Sequence, residues 1–463
     1  MGLVGNVQRR IEARLRAAVE RARGDAALTA ALGKVLSRPE IVERVYGEGE
    51  TFLVKAALFM AGVRLDRSAC EGVGTVWKED LGQRHYDPDA RRPRAGAVPH
   101  AIGMPHGLYM PLAIRPGAPF VLRRDGGRLY LYAEDLRLFP AEYEPRPAYY
   151  ARDTSGGVPM RHVGVHRLQR QVLCEYNATC RFFPERTACL FCGIVSERPL
   201  LGARHRGRFA ASPEEVAEVV EAAYAEGATE MQLTGGVLPG QAELGYFLDV
   251  GRALQRRLGV AVVPGSQAVL APPPRLEDLE ALREAGWEGV AMNLEVFDAR
   301  LWPGIVPGKA ALMPRARWLE ALEHAARVFG KGHVASVLVA GLEPMRSHLE
   351  GVEWLAERGI HGVPIPFTPA PGSALEGFQT PTAAWHLAAT VKVLDLWERH
   401  GLEADRHSSA GLHYADLARM RAHLRADQAA RPGRDWARDL RHELAVEGKL
   451  PDAARRCART RSS

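Results

Sequence analysis

The sequence predicts an α/β fold built on a parallel β-sheet, because short apolar runs alternate with amphipathic helical patterns from residue 166 onward. The strand-like runs are residues 167–173, 228–236, 259–265, 289–297, 333–341 and 362–369. The helical patterns lie near residues 212–226, 241–257, 275–285, 312–328, 346–358 and 382–400. Six βα units at this spacing imply right-handed crossovers, in an open doubly wound sheet or a barrel-like array. In both arrangements a functional site lies at the carboxyl ends of the strands.

The first of these helices has clear signals for its beginning and its end. Ser212 is a favourable N-cap residue and Pro213 suits the first helical position. Glu214 and Glu215 place negative charge in the first turn, where the helix dipole favours it. Gly227 then predicts the end of the helix.

Composition and pattern divide the chain into three predicted regions. Residues 1–150 form an N-terminal accessory α+β region, in which two β-prone runs within 120–132 flank an Asp-Gly-Gly turn typical of a hairpin. The α/β core spans residues 160–375, and residues 376–463 form a helical C-terminal extension.

The composition is that of a soluble globular protein, with 46% apolar and 25% charged residues. Lys and Arg exceed Asp and Glu by 61 to 55, and residues 401–463 hold 13 of these bases with 9 acids. Because the charges are interleaved, a solvated helical face is predicted there rather than a nucleic-acid site. No run approaches the ~18 apolar residues of a membrane span. Arginines interrupt every apolar stretch near the N-terminus, so a cytoplasmic location is expected.

Four of the six cysteines lie close together around the end of the first predicted strand: Cys174, Cys180, Cys189 and Cys192. In a reducing compartment such a group is typical of a metal or catalytic site. All four together could close a zinc site, although their gaps match no common zinc pairing. If instead Cys174 points into the core, three thiolates remain. Three thiolates on a four-iron cluster leave one iron open to a small molecule.

This loop resembles that of the radical S-adenosylmethionine (SAM) superfamily, whose usual pattern is C-x3-C-x2-C with an aromatic residue before the third cysteine. Here Phe191 precedes Cys192 and the first gap has eight residues, as expected of an expanded biotin-synthase-like or uncharacterised branch. The resemblance implies that Cys180, Cys189 and Cys192 are the cluster ligands and the catalytic centre. Cys174 could replace Cys180, since a C-x14-C-x2-C spacing also occurs in the superfamily. Cys180 is favoured because no turn residue lifts Cys174 off its strand.

Later strand ends extend the resemblance over residues 166–375. The segment LTGGVLPG resembles the superfamily's GGE segment, so that Thr234, Gly235 and Gly236 would lie against the SAM amino group. Val237 stands where the superfamily has an acid, which is a departure from the pattern.

Two further segments imply contacts with the rest of SAM. Asn293 and Glu295 resemble the residues that reach the ribose and methionine groups, and alternation along a strand would put them on one face. The alternative is that the two residues only cap a loop. The segment SVLVAGLEP partly matches a fifth-strand pattern in which Val339 would pack near the adenine, although the acid, Glu343, comes one position early.

Together these resemblances imply a partial (βα)6 TIM-like barrel that carries a [4Fe–4S] cluster and SAM. Such an enzyme would reductively cleave SAM to a 5′-deoxyadenosyl radical and abstract hydrogen from a small molecule or cofactor precursor. It would take electrons from a donor such as flavodoxin or ferredoxin. The alternative is a zinc-stabilised protein with four cysteine ligands and a basic tail that binds nucleic acid.

Overall fold

The computed structural model of the chain describes residues 48–71, 101–115, 117–133, 136–167, 170–176, 179–194, 210–370 and 372–404, with isolated positions 419, 422 and 426. Much of the predicted accessory region and most of the predicted C-terminal extension therefore lie outside the described residues. None of the helices within the described ranges is long and apolar enough to cross a bilayer.

The N-terminal region combines a helix with two small sheets. The elements are α1 (Glu48–Ala61), β1 (Val63–Leu65), β2 (Ala101–Met104), β3 (Leu108–Pro111), β4 (Phe120–Asp125), β5 (Arg128–Ala133), β6 (Leu136–Pro140) and β7 (Glu142–Tyr143). One sheet has the order β1-β4-β5-β6 and the other the order β3-β2-β7. The predicted hairpin is confirmed, since β4 and β5 pair antiparallel. Its turn residues Gly126 and Gly127 have φ of 57° and 81°, which a two-residue turn of this kind requires.

The rest of the described chain alternates between strands and helices. The elements are α2 (Met160–Val163), β8 (Gly164–Arg167), β9 (Gln171–Glu175), α3 (Pro213–Ala225), β10 (Glu230–Thr234), α4 (Glu243–Leu258), β11 (Val263–Val269), α5 (Asp278–Glu284), β12 (Trp287–Ala291), α6 (Trp302–Ile305), α7 (Pro307–Leu312), α8 (Arg315–Phe329), β13 (Val334–Ala340), α9 (Met345–Glu357), β14 (His361–Pro366) and α10 (Ala383–Arg399).

These strands form one seven-stranded sheet in the order β14-β13-β12-β11-β10-β9-β8. Strands β9 to β14 pair in parallel in their chain order, and β8 adds to β9 antiparallel at the edge. A doubly wound sheet reverses its strand order at a switch point, and this sheet does not. Of the two arrangements that the strand pattern allows, the fold is therefore the partial TIM-like barrel.

The signals that bound the first core helix are confirmed. The Ser212 hydroxyl accepts a hydrogen bond from the Glu215 amide (3.2 Å), and the Glu215 carboxylate accepts one from the Ser212 amide (2.8 Å). This reciprocal capping box opens α3 with Pro213 in its first turn. At the other end Gly227 has φ of 101°, which ends the helix as predicted.

Three strands differ from their predicted bounds for identifiable reasons. The predicted first strand, 167–173, is divided between β8 and β9, because the chain reverses between them. Strand β11 begins at Val263 instead of residue 259, because Gly259 has φ of 67° and caps α4. Strand β12 ends at Ala291 instead of residue 297, and Glu295 beyond it has φ of 71°. The expectation that Asn293 and Glu295 alternate along a strand is therefore wrong.

Two buried histidines on neighbouring helices make the stability of the fold dependent on pH. No ring nitrogen of His348 in α9 or His386 in α10 has a hydrogen-bond partner among the described residues. Burial lowers the pKa of His348 to about 4. Burial and then the neighbouring His348 lower the pKa of His386 to about 3. Both imidazoles are therefore neutral at physiological pH.

Acidification should destabilise the protein over the range in which these two histidines titrate in the unfolded chain. The unfolded chain binds protons at these two histidines near the ordinary histidine pKa of 6.5, while the folded chain does not until about pH 4 and below. The free energy of unfolding should therefore fall by about 2 kcal/mol between pH 6 and pH 5. Urea denaturation across this range measures the slope. His386→Phe should roughly halve it, and an unchanged slope in that variant would contradict the assignment.

Candidate active site

The loop that carries the predicted ligands leaves the carboxyl end of β9, at the mouth of the partial barrel. The Tyr176 amide donates to the Thr234 carbonyl (3.0 Å), which continues the pairing with β10 beyond the strand. The following stretch, residues 179–194, is described and contains the three favoured cysteines. All three side chains have intermediate exposure, and none forms a disulfide within the described residues.

The residues between Cys180 and Cys189 form a compact series of turns. The Thr187 amide donates to the Phe182 carbonyl (2.8 Å), and the Phe182 side chain is 3% exposed. Its ring packs on Gly308, where any Cβ would overlap the ring. The Gly308 amide also donates to the Thr187 carbonyl (2.7 Å). The eight-residue insert is thus anchored to the segment that follows β12.

The three thiols lie close enough to affect one another electrostatically. Burial is the largest cause that raises the pKa of Cys189; Lys309 opposes the rise, and Cys192 and Cys180 add to it. Burial also raises the pKa of Cys180, while backbone N–H donors lower it. Thiols held together in such surroundings become thiolates readily only when a metal supplies positive charge.

The spacing of the three sulfur atoms argues against a single tetrahedral ion. Bonds of about 2.3 Å to one zinc would hold the sulfurs about 3.8 Å apart. In the described part of the chain, only one set of three or more potential ligand groups has all its atoms within 4.8 Å of one another, and it does not include these cysteines. A four-iron cluster does not require one common centre, because each thiolate binds a different iron.

Cys174 is in the core, on the face of the sheet that the helices cover. It is paired in register with Leu233 of β10, which is fully buried. A Cβ built on Gly164 would lie 3.1 Å from the Cys174 sulfur and 2.7 Å from Val219 of α3. Burial raises the pKa of the Cys174 thiol to about 12, and the other cysteines do not contribute to that shift. The structure therefore groups Cys180, and not Cys174, with Cys189 and Cys192.

The glycine turn after β10 lies directly against the cysteine loop. A Cβ on Gly235 would overlap the Tyr176 ring, and a Cβ on Gly236 would overlap the Thr179 carbonyl and lie 2.6 Å from the Cβ of Cys180. The Tyr176 hydroxyl donates to the Gly236 carbonyl. Both glycines are thus needed for close packing, and they bring the end of β10 beside the cysteines.

The segment after β12 places a buried ion pair beside the same loop. The Asn293 side-chain oxygen accepts from the Val337 amide (3.1 Å). The Lys309 ammonium donates to the Glu295 carboxylate (2.6 Å) and to the Asn293 carbonyl (2.6 Å). The predicted polar pair therefore has protein partners, as the loop-capping alternative requires. The positive φ of Glu295 is a costly backbone conformation of the kind that clusters at functional sites.

The remaining predicted contacts lie around this mouth. Thr234 is half-buried at the end of β10, and Phe191 is half-buried and packs against the hydrophobic core. Val339 is 6% exposed, and its amide donates to the Glu295 carbonyl (2.6 Å).

Comparison with known proteins gives partial sequence matches. No family model matches the chain. It is 34% identical over 134 residues to bacteriochlorophyllide c C-7(1)-hydroxylase of Chlorobaculum limnaeum, a match covering 29% of this chain and 33% of that protein. It is 30% identical over 155 residues to FO synthase of Nocardia farcinica (strain IFM 10152), covering 31% of this chain and 16% of that protein. The chain thus spans a third or less of the length of these curated relatives.

A radical SAM methyltransferase from Sphaerobacter thermophilus is among the similar solved structures. It is 15% identical, with a TM-score of 0.38, and the match covers 63% of this chain and 76% of that one.

The residues at the barrel mouth fit the [4Fe–4S] cluster and SAM that the cysteine pattern implies. The three thiols are the ligand type that an iron–sulfur cluster requires, and Cys174 on the helix-covered face of the sheet leaves three of them at this site. The half-buried Thr234 and the strained Glu295 lie on segments that end next to that loop. The individual ligand and SAM-binding assignments stay predictions.

Two residues at the site have roles that the sequence does not reveal. Lys309 contacts Glu295 and influences the cysteines, but it lies well beyond the strand, in α7. A lysine after a proline-glycine pair gives no signal of burial. Glu343 accepts hydrogen bonds from the amides of Phe297 (2.9 Å) and Asp298 (2.8 Å), so it caps the segment after β12.

Proposed function

We propose that this chain is a radical SAM enzyme in which Cys180, Cys189 and Cys192 hold a [4Fe–4S] cluster and leave its fourth iron for SAM. The observation that carries the proposal is the grouping of these three thiols at the carboxyl ends of the strands. Cys174 is not part of this group, because it lies on the face of the sheet that the helices cover. When bound, the two cofactors supply a 5′-deoxyadenosyl radical that abstracts hydrogen from a substrate.

The chain's own groups orient the reactants and exclude water. The glycine turn lies beside the cysteine loop, where its backbone would hydrogen-bond the SAM amino group. The buried Phe182 and the half-buried Phe191 shield the cluster loop from solvent.

A small organic molecule is the substrate class that we favour. The two curated relatives are a bacteriochlorophyllide c hydroxylase and an FO synthase by name. Both names fit chemistry on a small molecule or cofactor precursor better than chemistry on a protein or RNA. An electron donor such as flavodoxin or ferredoxin would reduce the cluster. The alternative of a four-cysteine zinc protein is not favoured, because Cys174 faces the helices.

Cleavage of SAM tests this function directly. The full chain should be reconstituted anaerobically with iron and sulfide, reduced with dithionite and mixed with SAM. We expect 5′-deoxyadenosine and methionine to accumulate in equal amounts, as measured by liquid chromatography and mass spectrometry. A protein that carries a reducible cluster but forms no 5′-deoxyadenosine would contradict the proposed activity.

A further inference from the structure

Lys309 is a buried cation at the base of the cysteine loop, and cluster ligation as described above does not use it. Its side chain is 11% exposed, and that of its partner Glu295 is 10% exposed. Removing a charged lysine from water costs free energy, and pairing and hydrogen bonding must offset that cost.

The ammonium group is held in one position from several sides. It donates to the Glu295 carboxylate and to the Asn293 carbonyl, each at 2.6 Å. It also lies 5.0 Å from the centre of the Trp318 ring, which is fully buried and attracts a cation on its face. Because the ammonium group is fixed, its charge exerts a constant electrostatic effect on the groups around it.

The backbone around Lys309 is tied to the cysteine loop at two points. The Gly308 amide donates to the Thr187 carbonyl (2.7 Å), and the Leu190 amide donates to the Ile305 carbonyl (2.9 Å). Lys309 therefore keeps its place relative to the thiols of Cys189 and its neighbours.

The cation also lies beside the cysteine loop. The Phe182 ring of the loop packs on Gly308, the residue directly before Lys309. The charges of Lys309 and Glu295 both interact with Cys189, and they do so with opposite sign. The two members of the pair should therefore have opposite effects on a cluster held by this loop.

We propose that Lys309 raises the reduction potential of the cluster and that Glu295 opposes it. One-electron reduction adds one negative charge to the cluster, and a fixed cation beside its ligands stabilises that state. The inference rests on the proposed function, because it requires the three cysteines to hold the cluster. It assigns the buried pair to electron uptake rather than to SAM binding.

The test is a redox titration of the full chain in the absence of SAM, in which electron paramagnetic resonance measures the amount of reduced cluster at each potential. Lys309→Met keeps an unbranched chain over Trp318 without the charge, and it should shift the midpoint potential to more negative values. Glu295→Gln leaves the cation unopposed and should shift it to more positive values. Lys309→Arg should remain near the wild type, and the Lys309→Met/Glu295→Gln double variant should lie between the two single variants.

The outcomes separate the inference from the function beneath it. Potentials that stay at the wild-type value in both single variants, with iron content unchanged, would overturn the inference alone. So would an unchanged potential accompanied by weaker SAM binding, since that pattern marks a SAM contact. If Lys309→Met fails to retain iron, the positive shift of Glu295→Gln still decides the question. A wild-type chain that holds no reducible cluster would overturn the proposed function as well.

Discussion

Replacing Cys189 by alanine will abolish the cluster and all cleavage of SAM. Cys189 is the thiol whose pKa is raised by both other cysteines of the loop, so it lies close enough to interact with each of them. Two thiolates cannot hold a four-iron cluster securely, so the iron content should fall from about four per chain towards zero. Iron analysis and the absorbance of the anaerobically purified variant measure the loss.

The matched control is the removal of the fourth cysteine of the group. Cys174 faces Gly164 and Val219 in the packed layer between sheet and helices. Cys174→Ala should therefore keep the full iron content and SAM cleavage, at a cost in stability of about 1 kcal/mol from the lost packing. Loss of iron in this variant, with iron retained after Cys180→Ala, would show that the C-x14-C-x2-C assignment is right.

Gly236→Ala should dismantle the cysteine loop without touching a ligand. A Cβ at this position would overlap the Thr179 carbonyl, which belongs to the backbone and cannot rotate away. The loop must shift to make room, at a cost of about 3 kcal/mol, and Cys180 moves with it. We expect a lower iron content after reconstitution and a lower thermal midpoint, both measured on the purified full chain.

Gly245→Ala is the control for that substitution. Gly245 lies in α4, and a Cβ there would meet nothing within 4 Å. Because alanine favours a helix more than glycine does, this variant should be as stable as the wild type or more stable by up to about 1 kcal/mol. Equal iron content in the two alanine variants would contradict the role given to Gly236.

The order of the core elements could be predicted from the sequence because each strand and helix carries its own periodicity. The six predicted strands correspond to β9 to β14, with the first divided between β8 and β9. The residues at which the elements begin and end could not be predicted in the same way, because a residue with positive φ ends an element without changing its apolar pattern. Glu295 shows this most clearly, because nothing in its neighbours signals a φ of 71°. The choice between a doubly wound sheet and a barrel depended on strand order, which periodicity does not contain.

The thiols of the candidate site were visible in the sequence because cysteine is rare in this chain and its spacing is local. The grouping of Cys180 with the other two, apart from Cys174, depends on which face of β9 a side chain takes. Lys309 could not be found in advance, because its burial arises from contacts with Glu295 and Trp318 that no local sequence pattern indicates. For the same reason the packing role of Gly236 follows only from its approach to Thr179.

Metal analysis of the anaerobically purified full chain tests the central claim most directly. If Cys180, Cys189 and Cys192 hold a [4Fe–4S] cluster, the protein should be brown and contain about four irons and about four acid-labile sulfides per chain. Its absorbance near 400 nm should bleach on reduction with dithionite. A colourless protein with about one zinc and no sulfide per chain would contradict the account.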